Sequence, residues 1–255
     1  MIPYRDDNET IRTPVVTYAI IAINVAVWLL VQGAGREQPL AASVCNLGLI
    51  PGELTGMARP GSGFNMGHGW ACLVDAGRAP QHIVTSMFLH GPWMHIIGNM
   101  WFFWIFGNNV EDSMGGVRFV IFYLLCGTAA ALAQVAMSPA SAVPMVGASG
   151  AIGGIMGAYV VLFPRVRVFN FVFLGFFMTT VALPAWVMLG YWLLLQFLGT
   201  LGSGTEGGVA VWAHIGGFVA GAALIKVFSR ADFLAEHKAH HWQPKHLGFD
   251  RGAWR

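Results

Sequence analysis

A single serine stands between small residues inside a long apolar stretch of the chain. The Gly-Ala-Ser-Gly motif at 147–150 leaves the Ser149 hydroxyl without bulky neighbours, and no charged residue occurs between Arg118 and Arg165. Another backbone or a substrate carbonyl can approach such an uncrowded hydroxyl closely. Ser149 is therefore a candidate nucleophile for acyl transfer, although serine and glycine in apolar helices usually serve packing.

A lone histidine, His214, lies in another apolar stretch and is the base that a serine nucleophile needs. Serine is activated when a base takes its proton, and neutral imidazole suits this role near neutral pH. The carboxylate nearest to His214 in sequence is Glu206, eight residues upstream, so a third member of a triad has no obvious source. We predict a Ser149–His214 dyad. The alternative is a histidine that only forms a hydrogen bond between helices.

A third apolar stretch carries His95 and Asn99, which are four residues apart. Side chains at this spacing share one face of a helix, so both can point at the same place. Acyl transfer needs donors for the tetrahedral oxyanion, each worth about 3–4 kcal/mol when well placed. Taken alone, Asn99 is more typical of a hydrogen bond between helices.

Together these stretches resemble the signature of the rhomboid intramembrane serine proteases. The resemblance rests on three motifs, HGPWMHIIGN at 90–99, GASG at 147–150 and WAHIGGFVAG at 212–221, and it includes VED at 110–112. It covers roughly Val15 to Phe228, and the three motifs in this order on separate apolar segments are specific. It implies an endopeptidase that cleaves transmembrane or juxtamembrane segments of membrane proteins.

The resemblance also implies roles for single residues. His95 and Asn99, with the backbone N–H of Ser149, would bind the oxyanion, and His90 would organise the first loop. One departure concerns Gly153, since many rhomboids have an aromatic residue at this position that packs under the catalytic histidine. What orients His214 in this chain is therefore left open.

Two rival functions are weighed against the protease. A catalytically inactive rhomboid-like protein that binds membrane clients would not need the intact Ser149 and His214. A small transporter could use His90, His95 and His214 along a proton or metal path. It would be expected to carry charges at the membrane midplane or matching broken helices in two halves, and the sequence has neither.

The composition is that of a polytopic membrane protein. Hydrophobic residues make up 56% of the 255 residues, charged residues only 10%, and the mean hydropathy is +0.60. The net charge of +2 argues against nucleic acid as a partner. The expected partners are transmembrane protein substrates and membrane lipid, and the chemistry requires no metal or organic cofactor.

Six apolar segments predict an all-α, six-helix rhomboid-like bundle. They are Val15–Val31, Trp93–Phe106, Val117–Ala136, Ser149–Phe163, Leu183–Leu201 and Val209–Phe228. The first is expected to be an uncleaved helix rather than a signal peptide, since its removal would leave an odd number of spans. Val168–Thr179, at about 12 residues, is too short for a seventh span and is assigned to an interfacial or re-entrant stretch, with Pro184 starting a new helix.

The positive-inside rule then predicts that both termini are cytoplasmic and that the membrane is a plasma or inner membrane. Residues 1–14 form a cytoplasmic segment, 15–229 the rhomboid membrane domain with an external loop at 32–92, and 230–255 a cytoplasmic tail. The predicted cytoplasmic side collects Arg5, Arg12, Arg118, Arg165, Arg167, Lys226, Arg230 and Lys238. The active site is expected to open to the external face.

The three candidate groups are predicted to lie at one depth. Each comes 16 residues before a charged residue at the cytoplasmic end of its helix: His95 before Glu111, Ser149 before Arg165 and His214 before Arg230. At about 1.5 Å per residue this is roughly 24 Å. Against a hydrocarbon core about 30 Å thick, the shared level is several ångströms below the external surface.

Glycines predict that the helices carrying Ser149 and His214 pack closely. Small residues follow the serine at 153 and 157 and the histidine at 217 and 221, so each helix has a glycine face that starts at a reactive side chain. In the external loop, Cys45 and Cys72 are compatible with a disulfide or with two free thiols. The histidines of the tail are assigned to a solvated segment rather than to a metal site.

Overall fold

The protein is described by a computed structural model that places residues 1–67, 69–77, 79–174, 177–202 and 210–239. Its helices in chain order are α1 (Val15–Leu30), α2 (Glu37–Leu47), α3 (Pro51–Thr55), α4 (His82–Thr85), α5 (Trp93–Met114), α6 (Gly116–Met137), α7 (Ser149–Leu162), α8 (Ala185–Gly202), α9 (Val211–Phe228) and α10 (Ala231–Ala239). Its strands are β1 (Ile2–Asp6), β2 (Gly63–Gly67), β3 (Trp70–Leu73), β4 (Arg167–Leu174) and β5 (Phe177–Pro184).

Apolar helices form the body of the protein. Among the described residues, α6 and α9 are each long and apolar enough to cross a membrane, and α1, α7 and most of α8 are shorter apolar helices. α5 has 22 residues and carries its charged side chains at its C-terminal end. Each of the six predicted segments therefore overlaps with one of these helices, while the number of membrane crossings stays a prediction.

The fold is mostly helical, as predicted, but it also contains two small sheets that the all-α expectation did not include. β1, β4 and β5 form an antiparallel sheet in that order, and β2 pairs with β3 in the loop before α5. β4 and β5 occupy the stretch assigned to an interfacial or re-entrant segment. Its Phe, Val and Thr residues favour extended backbone, and an apolar pattern of this length does not distinguish a strand from a helix. Pro184 ends β5, and α8 begins at the next residue.

The carboxylate of Glu111, near the C-terminal end of α5, holds the first turn of α1. It accepts hydrogen bonds from the backbone N–H of Val16 at 3.0 Å and from both the N–H and the hydroxyl of Thr17 at 2.7 Å. The first N–H groups of a helix have no partner within the helix and favour a negative charge. Glu111 thereby ties α1 to α5 at one end of the bundle.

The neighbouring Asp112 joins the N-terminal segment to α10. Its carboxylate accepts hydrogen bonds from the backbone N–H groups of Ile11 and Arg12, both at 3.0 Å. On the other side, Nδ1 of the buried His237 lies 3.3 Å from the same carboxylate. The Arg12 guanidinium pairs with Asp112 and with Glu236 of α10. One buried carboxylate therefore connects three segments that are distant in sequence.

The loop before α5 is built from short elements rather than from one long coil. It contains α2, α3, α4 and the β2–β3 hairpin, and the Cys45–Cys72 disulfide ties α2 to β3. Of the two arrangements compatible with the sequence, the structure has the disulfide. Leu49, at the end of α2, pairs with Met145 through two backbone hydrogen bonds of 3.0 and 2.7 Å. The loop therefore touches the segment that leads into α7.

Asp6, at the end of β1, is half-buried against α5 and α7. The Tyr159 hydroxyl donates to its carboxylate at 2.5 Å and the Asn109 amide at 3.0 Å, while Asp7 adds a neighbouring negative charge. Burial removes the carboxylate from water and raises its pKa to about 7. The folded protein therefore binds a proton at Asp6 that the unfolded chain releases near pH 4.

This difference predicts that the free energy of unfolding falls as the pH rises from about 4 to about 7, because the native state binds the extra proton. Asp6→Asn should remove that part of the pH dependence. We expect the unfolding midpoint of the variant in detergent to fall less between pH 5 and pH 8 than that of the parent protein. Asp75→Asn, at an exposed carboxylate, is the matched control and should behave like the parent. Equal pH slopes for the parent and Asp6→Asn would contradict the prediction.

Candidate functional site

Ser149 is the first residue of α7, and His214 lies in the first turn of α9. The Ser149 Oγ and the His214 Nε2 are 2.8 Å apart, which is hydrogen-bonding distance. The two residues are 65 positions apart in sequence, so the packing of the two helices creates this contact. The pair can transfer a proton from the hydroxyl to the imidazole without any rearrangement.

Glycines bring the backbones of α7 and α9 into direct contact. A side chain on any of three glycines would collide with a carbonyl oxygen of the opposite helix: Gly217 with Gly150, Gly221 with Gly154, and Gly157 with Phe218. At Gly153 an added Cβ would lie 3.0 Å from the carbonyl oxygen of His214. The glycine faces predicted from the spacing do meet in the structure, so small residues set the separation of these helices.

The second ring nitrogen of His214 has a partner that the sequence analysis did not identify. Nδ1 lies 2.7 Å from Oε1 of Gln196 on α8, and the Trp192 ring, one turn earlier, lies 5.8 Å from the imidazole. The histidine is therefore held from α8 and not by a side chain at position 153. In the sequence, Gln196 is a lone amide in an apolar helix, and only the tertiary structure shows that its side chain faces His214.

His95 lies beside the backbone that leads into Ser149. The backbone N–H of Gly91 donates to its Nδ1 at 3.2 Å, so the hydrogen of the neutral ring is on Nε2. Nε2 faces Gly147, because a Cβ built there would be 2.8 Å from this nitrogen and 3.4 Å from the Ser149 Oγ. Gly147 has a φ of 127°, which also favours glycine. His95 thus presents a donor next to the serine.

Asn99 lies one turn after His95 on α5 and is 9% exposed. Its Nδ2 group is buried and has no hydrogen-bond partner among the described residues. A buried donor without a partner is costly, so it usually has a function or an unseen acceptor. The first N–H groups of α7 are also without partners inside their own helix. The region therefore offers several donors to an added oxygen.

A small cavity reaches Ser149. It has a volume of about 20 Å³ and is lined by Ser86, Gly147, Ser149 and Gly150, together with alanines of α6 and α9. This volume admits about one water molecule. The carbonyl of Ser86 also accepts a hydrogen bond from the Gly147 N–H at 2.9 Å. The loop before α5 therefore helps to fix the approach to Ser149.

His90 is fully buried and lies edge-on against His95, with 5.2 Å between the ring centres. The side chain of Gln32 bonds to both backbone groups of His90, accepting from its N–H at 2.8 Å and donating to its carbonyl at 2.7 Å. Burial lowers the pKa of the His90 imidazole to about 3, so the ring is neutral. It packs between the loop and α5. Glu206 and the histidines at 240, 241 and 246 lie outside the described residues.

The Rhomboid domain model matches residues 78–231. The fold is therefore of the helical polytopic membrane class, and the chain belongs to the rhomboid family.

The chain is similar to several rhomboid proteins of bacteria and plants. It is 34% identical over 144 residues to Rhomboid protease GluP of Bacillus subtilis, covering 56% of this chain and 25% of that protein. It is 29% identical over 161 residues to RHOMBOID-like protein 6, mitochondrial, of Arabidopsis thaliana, covering 61% and 45%. Rhomboid-like protein 11, chloroplastic, of the same plant is 38% identical over 79 residues, covering 31% and 28%. The chain spans less than half the length of these relatives.

The glycine contacts predict that Gly217→Ala slows the labelling of Ser149 by a fluorophosphonate. The new methyl group would push α9 away from the carbonyl oxygen of Gly150, and a displacement of about 1 Å can cost about 10²-fold in rate. The unfolding midpoint should fall only modestly, since overpacking typically costs about 1–3 kcal/mol. Gly190→Ala on α8 is the matched control, because a Cβ there has no neighbour within 4 Å. Equal labelling rates for the two variants would show that the close contact does not set the geometry.

Proposed function

We propose that the protein is an intramembrane serine endopeptidase that cleaves transmembrane or juxtamembrane segments of other membrane proteins. Ser149 is the nucleophile and His214 the general base. The observation that carries the proposal is the 2.8 Å contact between the Ser149 Oγ and the His214 Nε2 within a bundle of apolar helices. Membership of the rhomboid family, and similarity to a relative named as a rhomboid protease, support it.

The residues provide a two-step reaction. The Ser149 Oγ attacks the scissile carbonyl while His214 accepts the hydroxyl proton, and His214 then gives this proton to the leaving amine. The Nε2–H of His95, the Nδ2 of Asn99 and the backbone N–H of Ser149 bind the oxyanion. In the second step water attacks the acyl-enzyme, His214 accepts its proton, and the return of a proton to Oγ regenerates the serine. The 20 Å³ cavity beside Ser149 can hold one such water.

The proposal includes a topology. α1, α5, α6, α7, α8 and α9 cross the membrane, both termini are cytoplasmic, and the site opens to the external face of a plasma or inner membrane. The described charges Arg12, Glu111 and Asp112 gather at one end of the bundle, and the Ser149 end of α7 lies at the other. Arginines concentrate on the cytoplasmic side of membrane proteins, which supports this orientation. Residues 1–14 and 230–255 would flank the membrane domain at 15–229.

The decisive experiment is cleavage of a model transmembrane substrate by the purified protein in proteoliposomes. Ser149→Ala and His214→Ala should each lower the rate below a few per cent, because removing either partner costs nearly as much as removing both. Ser138→Ala, just beyond the end of α6, is the control and should keep full activity. Activity retained in either dyad variant would exclude the mechanism. A parent protein that neither cleaves substrate nor reacts with a fluorophosphonate would favour the inactive, client-binding alternative.

The oxyanion assignment predicts a different pattern for Asn99→Ala. The kcat should fall about 10²–10³-fold if the amide is a main donor, while fluorophosphonate labelling of Ser149 remains detectable because the dyad is intact. Asn24→Ala is the control, since this buried amide donates to the carbonyl of Ile20 in its own helix. If both variants retain the parent kcat, Asn99 has only a structural role.

A further inference from the structure

We propose that Gln196 is the positioning residue of the site and acts as the neutral third member of a Ser149–His214–Gln196 triad. The inference rests on the proposed protease function. The three polar groups form a chain, with 2.8 Å between the Ser149 Oγ and the His214 Nε2 and 2.7 Å between the His214 Nδ1 and the Gln196 Oε1. They come from three different helices, α7, α9 and α8.

The Gln196 amide determines which ring nitrogen of His214 carries the hydrogen. A neutral imidazole has one N–H and one bare nitrogen, and only a bare Nε2 can accept the proton of Ser149. The Gln196 Oε1 is an acceptor, so it binds the imidazole that has its hydrogen on Nδ1. Without this acceptor, the ring could place its hydrogen on Nε2 and donate to the serine. Gln196 thereby selects the reactive tautomer.

Gln196 also limits the rotation of the ring. Trp192 precedes Gln196 by one turn of α8. The centre of its indole ring lies 5.8 Å from the centre of the His214 ring and 6.4 Å from the centre of the Phe218 ring. Gly153 of α7, whose Cβ would lie 3.0 Å from the His214 carbonyl oxygen, contributes no side chain to hold the ring. The amide and the indole of α8 hold it instead.

A neutral amide suits a site within apolar helices. A carboxylate in the same place would have to be buried or to change its protonation state, both of which are unfavourable in low dielectric. An amide orients the imidazole without adding a charge, although it stabilises the imidazolium less than a carboxylate would. Neither Asp nor Glu among the described residues makes a hydrogen bond to His214, whereas Gln196 does.

The first test reads the tautomer directly and needs no substrate. In protein labelled with ¹⁵N-histidine, the His214 signals are assigned by comparison with His214→Gln. The parent protein should show a protonated Nδ1 and a bare Nε2, and Gln196→Met should show a mixture of both tautomers. A protonated Nε2 in the parent protein would overturn the proposal whether or not the protein is a protease.

The second test separates positioning from general damage. Gln196→Met keeps the length but removes the acceptor, so the kcat should fall about 10–100-fold, as expected for a lost hydrogen bond, with little change in KM. Gln134→Met is the matched control. The Gln134 amide also accepts a hydrogen bond from α9, from the Ala213 N–H at 3.3 Å, but it makes no hydrogen bond to the His214 ring. Equal losses in the two variants would mean that Gln196 only stabilises the packing.

Gln196→Glu keeps the test decisive if the methionine variant does not fold. It retains an oxygen acceptor of the same length, so its kcat should exceed that of Gln196→Met even though burying the carboxyl group is unfavourable. Because a carboxylate favours the imidazolium, the acid limb of the kcat profile should move to higher pH. An unchanged pH profile, with Ser149-dependent activity intact, would show that Gln196 does not act through His214. Absence of all Ser149-dependent cleavage in the parent protein would instead count against the protease function.

Discussion

The direct contact between the backbones of α7 and α9 is the constraint on which the site depends. Helices in lipid gain little from burying apolar surface, so close association relies on small residues that allow many atomic contacts. Gly217 and Gly221 of α9 lie against the carbonyl groups of Gly150 and Gly154. The separation of the two helices is therefore set by main-chain atoms that have no rotamers, and the Ser149–His214 pair is in contact without a ligand.

The groups close to Ser149 and the charged side chains lie at opposite ends of the bundle. The groups near Ser149 are neutral: an imidazole held by the Gln196 amide, a second imidazole held by the Gly91 N–H, and the amide of Asn99. The carboxylates of Glu111 and Asp112 lie at the opposite end of α5, where they hold the N-terminal segment and α10. Hydrogen bonds between neutral groups can specify orientation in an apolar interior without the desolvation cost of ions.

The sequence predicts those features that depend on local spacing. The serine, the histidine and their glycine neighbours each follow from residue type and helical period, and the structure places the two glycine faces in contact. Gln196 could not be assigned in the same way, because the rotation of α8 about its axis depends on how it packs against α9. The β4–β5 hairpin was missed because a short apolar run satisfies a helix and a strand equally well. Compartment chemistry, and not spacing, decides whether Cys45 and Cys72 are joined.

Asp112 has a further consequence for the order in which the protein assembles. Its partners Ile11 and Arg12 precede it in the chain, so they already exist when the ribosome completes α5. His237 is made about 125 residues later, a delay of roughly 6–25 s at ordinary rates of synthesis. We therefore expect the carboxylate to bind its backbone donors before α10 is made, so that α10 docks onto a position that is already formed. In this order of assembly, the N-terminal segment is the template for the last helix.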